Sequence, residues 1–213
     1  MLIAGIVGGM DKTQTADLIY SIMSSAGVRI SVIDSGSIIE LNKNKLKSYI
    51  EELKKSETYI LLIRIDVRDI EKDFFDNLHF DIMLYTDKAD DLYSIDDEHY
   101  TVLMRKVFSM VDERGTLIVN ADDVDNIAFL RGMKYYTVTY GFNRKSSVTT
   151  SSMGDKVFKD GFIYCLQRSI TAKNGRVFEP QEYKLDFSQC KYDERNILAA
   201  VTFVLVSGID IFK

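Results

Sequence analysis

Ile3-Ala4-Gly5-Ile6-Val7-Gly8-Gly9-Met10-Asp11-Lys12-Thr13-Gln14-Thr15 is the stretch whose reading decides the fold. An apolar strand runs into a glycine pair, then a Lys-Thr and a helix start. In nucleotide-binding α/β domains such an arrangement places backbone N–H groups and one lysine around a phosphate chain. The blander reading is an ordinary strand, turn and helix whose lysine faces solvent. The usual pattern has glycine immediately before the lysine, whereas Asp11 stands there. A carboxylate at that point removes the bare backbone a phosphate approaches and brings negative charge toward negative charge.

Outward from this stretch, apolar residues recur in alternating periods. Leu18, Ile19, Ile22, Met23 and Ala26 keep helical spacing, with Gly27 as the stop, and Val28 to Ile33 reads as a second strand. Residues 38–55 are expected to be helical, with Leu46, Ile50 and Leu53 on one face. The run Tyr59-Ile60-Leu61-Leu62-Ile63 has the continuous apolar character of a buried parallel strand and ends at Arg64-Ile65-Asp66. Ile70, Phe74 and Leu78 mark a helix, and Phe80 to Tyr85 a strand followed by an acidic loop. Residues 97–111 are expected as a helix carrying Tyr100, Leu103, Met104, Val107 and Val111. Thr116 to Val119 reads as a strand, followed by a short helix to about Leu130, and Tyr135 to Thr139 as one more strand.

After Gly141 the pattern changes. Ser146 to Ser152 reads as a polar mobile loop or edge. Val157 to Arg168 and Tyr183 to Phe187 read as antiparallel strands separated by a turn region from Gly175 to Pro180, and Asn196 to Ser207 as a last helix. The expected fold class is α/β: a mostly parallel sheet covered by helices on both faces, with a small antiparallel strand region in the C-terminal third.

Composition narrows the partners. The 213 residues suit a single domain, and 46% hydrophobic with 28% charged residues is ordinary for a soluble chain. Lys plus Arg is 27 against 32 for Asp plus Glu, a net charge of −5, and no basic cluster interleaves with aromatics, which argues against nucleic acid. Cys165 and Cys190 form no metal-binding or disulfide pattern, and no signal peptide opens the chain, so a cytoplasmic location is expected. The most apolar late run, Ile197 to Val206, is about half the length needed to span a bilayer.

Five stretches, in order, carry a resemblance to the central ATP-binding domain of the Mur ligase family, which builds the peptide stem of bacterial cell-wall precursors. They are Gly8 to Thr15, Arg64-Ile65-Asp66-Val67, Phe80 to Asp87 with Asp91, Val119-Asn120-Ala121-Asp122-Asp123, and Asn196-Ile197-Leu198-Ala199-Ala200 before Gly208-Ile209-Asp210. Thr139-Tyr140-Gly141-Phe142 fits as well. The resemblance implies a P-loop-like domain, residues 1–213, standing without the N-terminal substrate domain and C-terminal ligase domain that family members ordinarily carry.

Such ligases phosphorylate a carboxylate with ATP and let an amine attack the acyl phosphate, so their site must hold cations among anionic groups. Carried over by resemblance, Gly8 and Gly9 belong to the phosphate loop, Lys12 matches the phosphate-contacting lysine, Thr13 the hydroxyl that ligates Mg²⁺, and Asn196 the adenine-side contact. Asp193 replaces the first of the family's paired asparagines. The metal-binding glutamate falls on Arg64, a fixed cation. The histidine after the fourth strand falls on Leu92, and the carbamylated lysine on Met104, which binds no hard cation. Asp66, Asp69, Asp87, Asp90 and Asp91 could rebuild a metal site, although Asp66 and Asp69 read more simply as surface acids or helix caps. Asp122 and Asp123 read as the cap of a short helix, and His79 and His99 as structural histidines.

The resemblance with these losses implies a non-catalytic binding or scaffold protein of cell-wall synthesis or division. Its expected partner is another protein or a second copy, such as a cell-wall enzyme or division protein. A nucleotide-binding sensor that holds ATP or ADP without turnover is the first alternative. An ATP-dependent amide ligase or ATPase active only with a partner chain is the second.

Overall fold

The structure is a computed structural model that describes residues 1–9, 11–41, 43–71, 78–88, 97–123, 128–130, 132–151, 161–186 and 192–212. Its strands are β1 Leu2–Val7, β2 Ile30–Asp34, β3 Ile60–Ile65, β4 Phe80–Tyr85, β5 Val111–Asn120, β6 Tyr136–Tyr140, β7 Val148–Thr150, β8 Phe162–Leu166, β9 Ile170–Thr171, β10 Val177–Phe178 and β11 Gln181–Leu185. The helices are α1 Asp11–Ser25, α2 Ser35–Glu40, α3 Lys43–Lys55, α4 Asp97–Ser109 and α5 Glu194–Val206.

The main sheet has the order β11-β8-β7-β6-β5-β4-β1-β3-β2. Neighbours from β2 through β7 run parallel, while β8 is antiparallel to β7 and β11 to β8. Strands β9 and β10 form a separate antiparallel hairpin. This is the expected α/β architecture, with the antiparallel part confined to the C-terminal third.

Alternation along the strands gives each face its own core. Ala4, Ile6, Leu62 and Ile82 point toward α1 and α5, whereas Val7, Leu61, Ile63 and Met83 point toward α2, α3 and α4. Helix α5 is buried from Asn196 through Val206 without a solvent face. Its Leu198, Phe203 and Leu205 are fully buried, each stabilising the fold by about 1.5–3 kcal/mol. Among the described residues no helix is long and apolar enough to cross a membrane.

Several expected boundaries differ. The helix expected over residues 38–55 is two helices, broken where Leu41 turns extended at φ −80°, ψ 130°. Val111 belongs to β5 rather than to the helix before it. There β5 opens a bulge in which Phe80 pairs with Val111 but Ile82 with Thr116. Gly115 permits it, because a Cβ there would lie 2.3 Å from Val111 Cγ1. Of the helix marked by Ile70, Phe74 and Leu78, the described residues show a 3-10 turn over Val67–Glu71 and Leu78 outside any helix, and residues 72–77 lie outside the described residues.

The stretch from Ser146 is neither a mobile loop nor an edge. Val148–Thr150 is strand β7, inserted between β6 and β8 and buried throughout. Polar partners on the neighbouring strands make this possible: the Thr150 hydroxyl donates to the Ile163 carbonyl of β8 at 2.7 Å, and the Ser147 backbone N–H just before β7 donates to the Thr139 hydroxyl of β6 at 2.9 Å. The turn region between β8 and β11 contains the β9–β10 hairpin. Ser152, Val157 and Cys190 lie outside the described residues.

Candidate functional site

Parallel strands β2, β3, β1, β4, β5 and β6 end along one edge of the sheet, where α/β domains assemble their sites. The glycine loop leaves β1 here and enters α1. Gly8 adopts φ +152°, and a Cβ on it would lie 2.0 Å from Thr86 Oγ1 and 3.0 Å from the Asp87 carbonyl. Only a bare backbone can lie so close to the end of β4. Thr86 N donates to the Val7 carbonyl at 3.1 Å, which extends the β1–β4 ladder one residue past β4.

Next in the loop, Gly9 N donates to Asp87 Oδ1 at 3.1 Å, and the same oxygen accepts the Thr86 hydroxyl at 2.7 Å. Asp87 therefore clamps the glycine loop, a role its position in the sequence did not reveal. Lys12 Nζ donates to the Ile65 carbonyl at the end of β3, 2.9 Å away. Thr13 is exposed on the first turn of α1, and Met10 lies outside the described residues.

The field around the loop is acidic. Burial, together with the neighbouring carboxylates of Asp87 and Asp193, pushes the Asp11 carboxyl above its ordinary range, against Arg195 and a hydrogen bond with Asn196. Asp193 is the N-cap of α5, accepting from Arg195 N at 2.7 Å. Burial raises the Tyr140 phenol as well, and the Asp87 and Asp11 charges add to that shift.

Asn196 is 1% exposed. Its Oδ1 accepts from Thr15 Oγ1 at 3.1 Å, and its Nδ2 donates to Gln14 Oε1 at 3.0 Å. The amide thus ties the start of α5 to the first turns of α1.

Arg64 makes a bidentate pair with Asp34, through Nε at 2.8 Å and Nη2 at 2.9 Å, and lies 4.0 Å from Asp17 of α1. Asp34 closes β2, the strand on the far side of β3 from β1 and β4, so the guanidinium is paired across the β3–β2 side of the sheet edge. Sequence reasoning missed Asp34 and Asp17. The available signal was that Asp34 ends one predicted strand where Arg64 ends its neighbour.

Met104 is fully buried, in the core between α4 and the sheet. Leu92, Asp90 and Asp91 lie outside the described residues. Asp66 receives Arg68 N and Nε at 3.0 Å and Nη2 at 2.7 Å, which holds its carboxyl below the ordinary range. Asp69 accepts the Ser35 hydroxyl at 2.7 Å. Asp122 fastens the loop after β6, its oxygens accepting Phe142 N at 2.8 Å and Asn143 N at 2.9 Å, and residues 124–127, where a helix capped by Asp122 or Asp123 would begin, lie outside the described residues. Asp123 accepts the Tyr85 hydroxyl at 2.9 Å. His79 lies 3.6 Å from Asp112, away from this edge.

A Mg²⁺ ion needs several oxygens free to converge in near-octahedral geometry. Among the described residues no three His, Cys, Asp or Glu side chains do so. Both oxygens of Asp66 are engaged by Arg68 and Oδ1 of Asp87 by the loop, while the other candidate ligands Asp90 and Asp91 lie outside the described residues.

A model of the Mur ligase middle domain matches residues 6–202. Among solved structures the chain is similar to a UDP-N-acetylmuramoyl-L-alanyl-D-glutamate–2,6-diaminopimelate ligase, with 15% identity, a TM-score of 0.70 and coverage of 100% of this chain and 44% of that one. It is similar to the UDP-N-acetylmuramate:L-alanyl-gamma-D-glutamyl-meso-diaminopimelate ligase of Neisseria meningitides, with 14% identity, a TM-score of 0.64 and coverage of 99% and 63%. It also resembles the MurF ligase of Thermotoga maritima, a structure in complex with ADP, with 17% identity, a TM-score of 0.55 and coverage of 99% and 47%. The chain spans roughly half the length of these structures. No curated protein matches it.

Proposed function

The chain belongs to the Mur ligase middle-domain family, and from that premise we propose that it is a non-catalytic member, a binding or scaffold protein serving cell-wall synthesis or division. The observation that carries this reading is the Arg64–Asp34 pair. By resemblance, Arg64 stands where a ligase has a carboxylate for its metal, and here a permanent cation is fixed by two charge-assisted bonds. Met104, buried in the core, supports the same reading from the neighbouring helix. Losing a group that grips the metal or the developing charge removes several kcal/mol of transition-state stabilisation.

The pathway comes from the family alone, and the partner is proposed as a protein or a second copy of the chain. The test is phosphate release from ATP with Mg²⁺, in the presence of carboxylate and amine substrates of the ligase type. The reading expects no release above that of a Lys12→Ala control. Turnover that depends on Lys12 would overturn it and favour a ligase or ATPase.

A nucleotide sensor is the second reading, favoured by the retained strand, glycine loop and helix with Lys12 at the loop and Thr13 exposed on α1. Calorimetric titration with ATP, with and without Mg²⁺, decides between the two. Saturable binding without turnover supports the sensor, and no heat at millimolar nucleotide supports the scaffold.

A further inference from the structure

We propose that Asp87 is a built-in anion: its carboxylate takes the Gly9 N–H that a phosphoryl oxygen would otherwise accept, and so closes the glycine loop to phosphate-bearing ligands. The proposal rests on the non-catalytic reading above and deepens it by naming what holds the loop shut.

Asp87 Oδ1 is held from two sides, by Gly9 N at 3.1 Å and by the Thr86 hydroxyl at 2.7 Å, so the carboxylate has one orientation and it faces the loop. The approach is close as well as polar. A Cβ on Gly8 would fall 2.0 Å from Thr86 Oγ1, and Thr86 N already donates to the Val7 carbonyl, so loop and strand end meet with no space between them. N–H groups that open a helix attract anions. A carboxylate attached to the adjoining strand is present at a high effective concentration that a free phosphate must outcompete. A phosphate arriving at the loop would also meet Asp11 at the start of α1 and Asp193 at the cap of α5, with Arg195 the opposing charge. Lys12 lies along the loop with its ammonium on the Ile65 carbonyl.

The experiment is calorimetric titration of the wild-type chain, Asp87→Ala and Asp87→Asn with inorganic pyrophosphate and, separately, with ATP, both without divalent metal and at low ionic strength. Asp87→Ala vacates the Gly9 N–H and removes the charge, and it is expected to bind pyrophosphate at least about tenfold more tightly than wild type. Asp87→Asn keeps an acceptor of the same shape without the charge, and a smaller gain is expected. Adding Lys12→Ala is expected to abolish either gain.

Equal pyrophosphate affinity in wild type and both variants would overturn the proposal. So would a gain for ATP with none for pyrophosphate, because the new contact would then lie at the nucleoside. If Asp87→Ala does not fold, the isosteric Asp87→Asn decides alone: a gain supports the proposal and its absence overturns it. ATP turnover by the wild-type chain would overturn the non-catalytic reading and leave the pyrophosphate comparison standing on its own result.

Discussion

Replacing Asn196 with alanine separates a structural tether from a ligand contact. The side chain is 1% exposed, and its carbonyl oxygen accepts from Thr15, itself fully buried. Truncation leaves that hydroxyl without its acceptor in a water-free place, at a cost of about 1–3 kcal/mol, and the lost bonds to the exposed Gln14 and to Asp11 add about 0.5–1 kcal/mol. The expected destabilisation is therefore about 1.5–4 kcal/mol, a large part of the roughly 5–15 kcal/mol that holds a domain together. Urea unfolding followed by far-UV circular dichroism should show a lower midpoint at unchanged slope. In a Thr15→Val background the same truncation should cost less by about 1–2 kcal/mol, since the hydroxyl it orphans is already gone. A loss below about 0.5 kcal/mol, or no coupling to Thr15→Val, would refute the reasoning. A loss of nucleotide affinity at unchanged stability would assign Asn196 to a ligand instead.

Three other perturbations have defined outcomes. Gly8→Ala forces a side chain onto a backbone at φ +152° with Thr86 Oγ1 2.0 Å away, and a loss of about 2 kcal/mol or more is expected in the same unfolding assay. Arg64→Ala removes a bidentate pair whose partner Asp34 is half exposed; the expected loss is about 1 kcal/mol or less in dilute buffer, and it should shrink in 1 M NaCl (about 3 Å screening length). Asp11→Asn is expected to raise the unfolding temperature at pH 7. The folded-state pKa of Asp11 lies above its ordinary 3.8, so ionisation opposes folding as pH rises through the folded value. The gain should fade on acidification and vanish below the unfolded value; a gain that persists at low pH would refute the sign.

The sheet was legible because its strands are long apolar runs, as at Ile60–Ile65, which only burial on both faces explains. Strand β7 was not, because Ser147 and Thr150 look like loop residues until Thr139 and the Ile163 carbonyl supply their hydrogen bonds. Those partners lie on other strands, and hydrophobicity carries no record of them. The break at Leu41 was hidden for the opposite reason: the apolar spacing of α3 continues acceptably through it.

At the sheet edge, the residue types could be read but their partners could not. Arg64 looked like a lost metal ligand, yet its guanidinium belongs to Asp34, thirty positions back. Asp87 was read only as a possible metal ligand, and its bond to Gly9, seventy-eight positions away, was not foreseen. Side chains this small in number are assigned by register, and register appears only once the strands are aligned.

The burial of α5 on every side also constrains how the molecule is made. Every strand of the sheet precedes this helix in the chain, so at about 5–20 residues per second roughly 10–40 seconds of synthesis separate β1 from its cover. During that interval the face bearing Ile6, Leu62, Ile82 and Ile118 is covered by α1 alone. Substitutions that unsettle α5 are therefore expected to surface first as poor yield from expression.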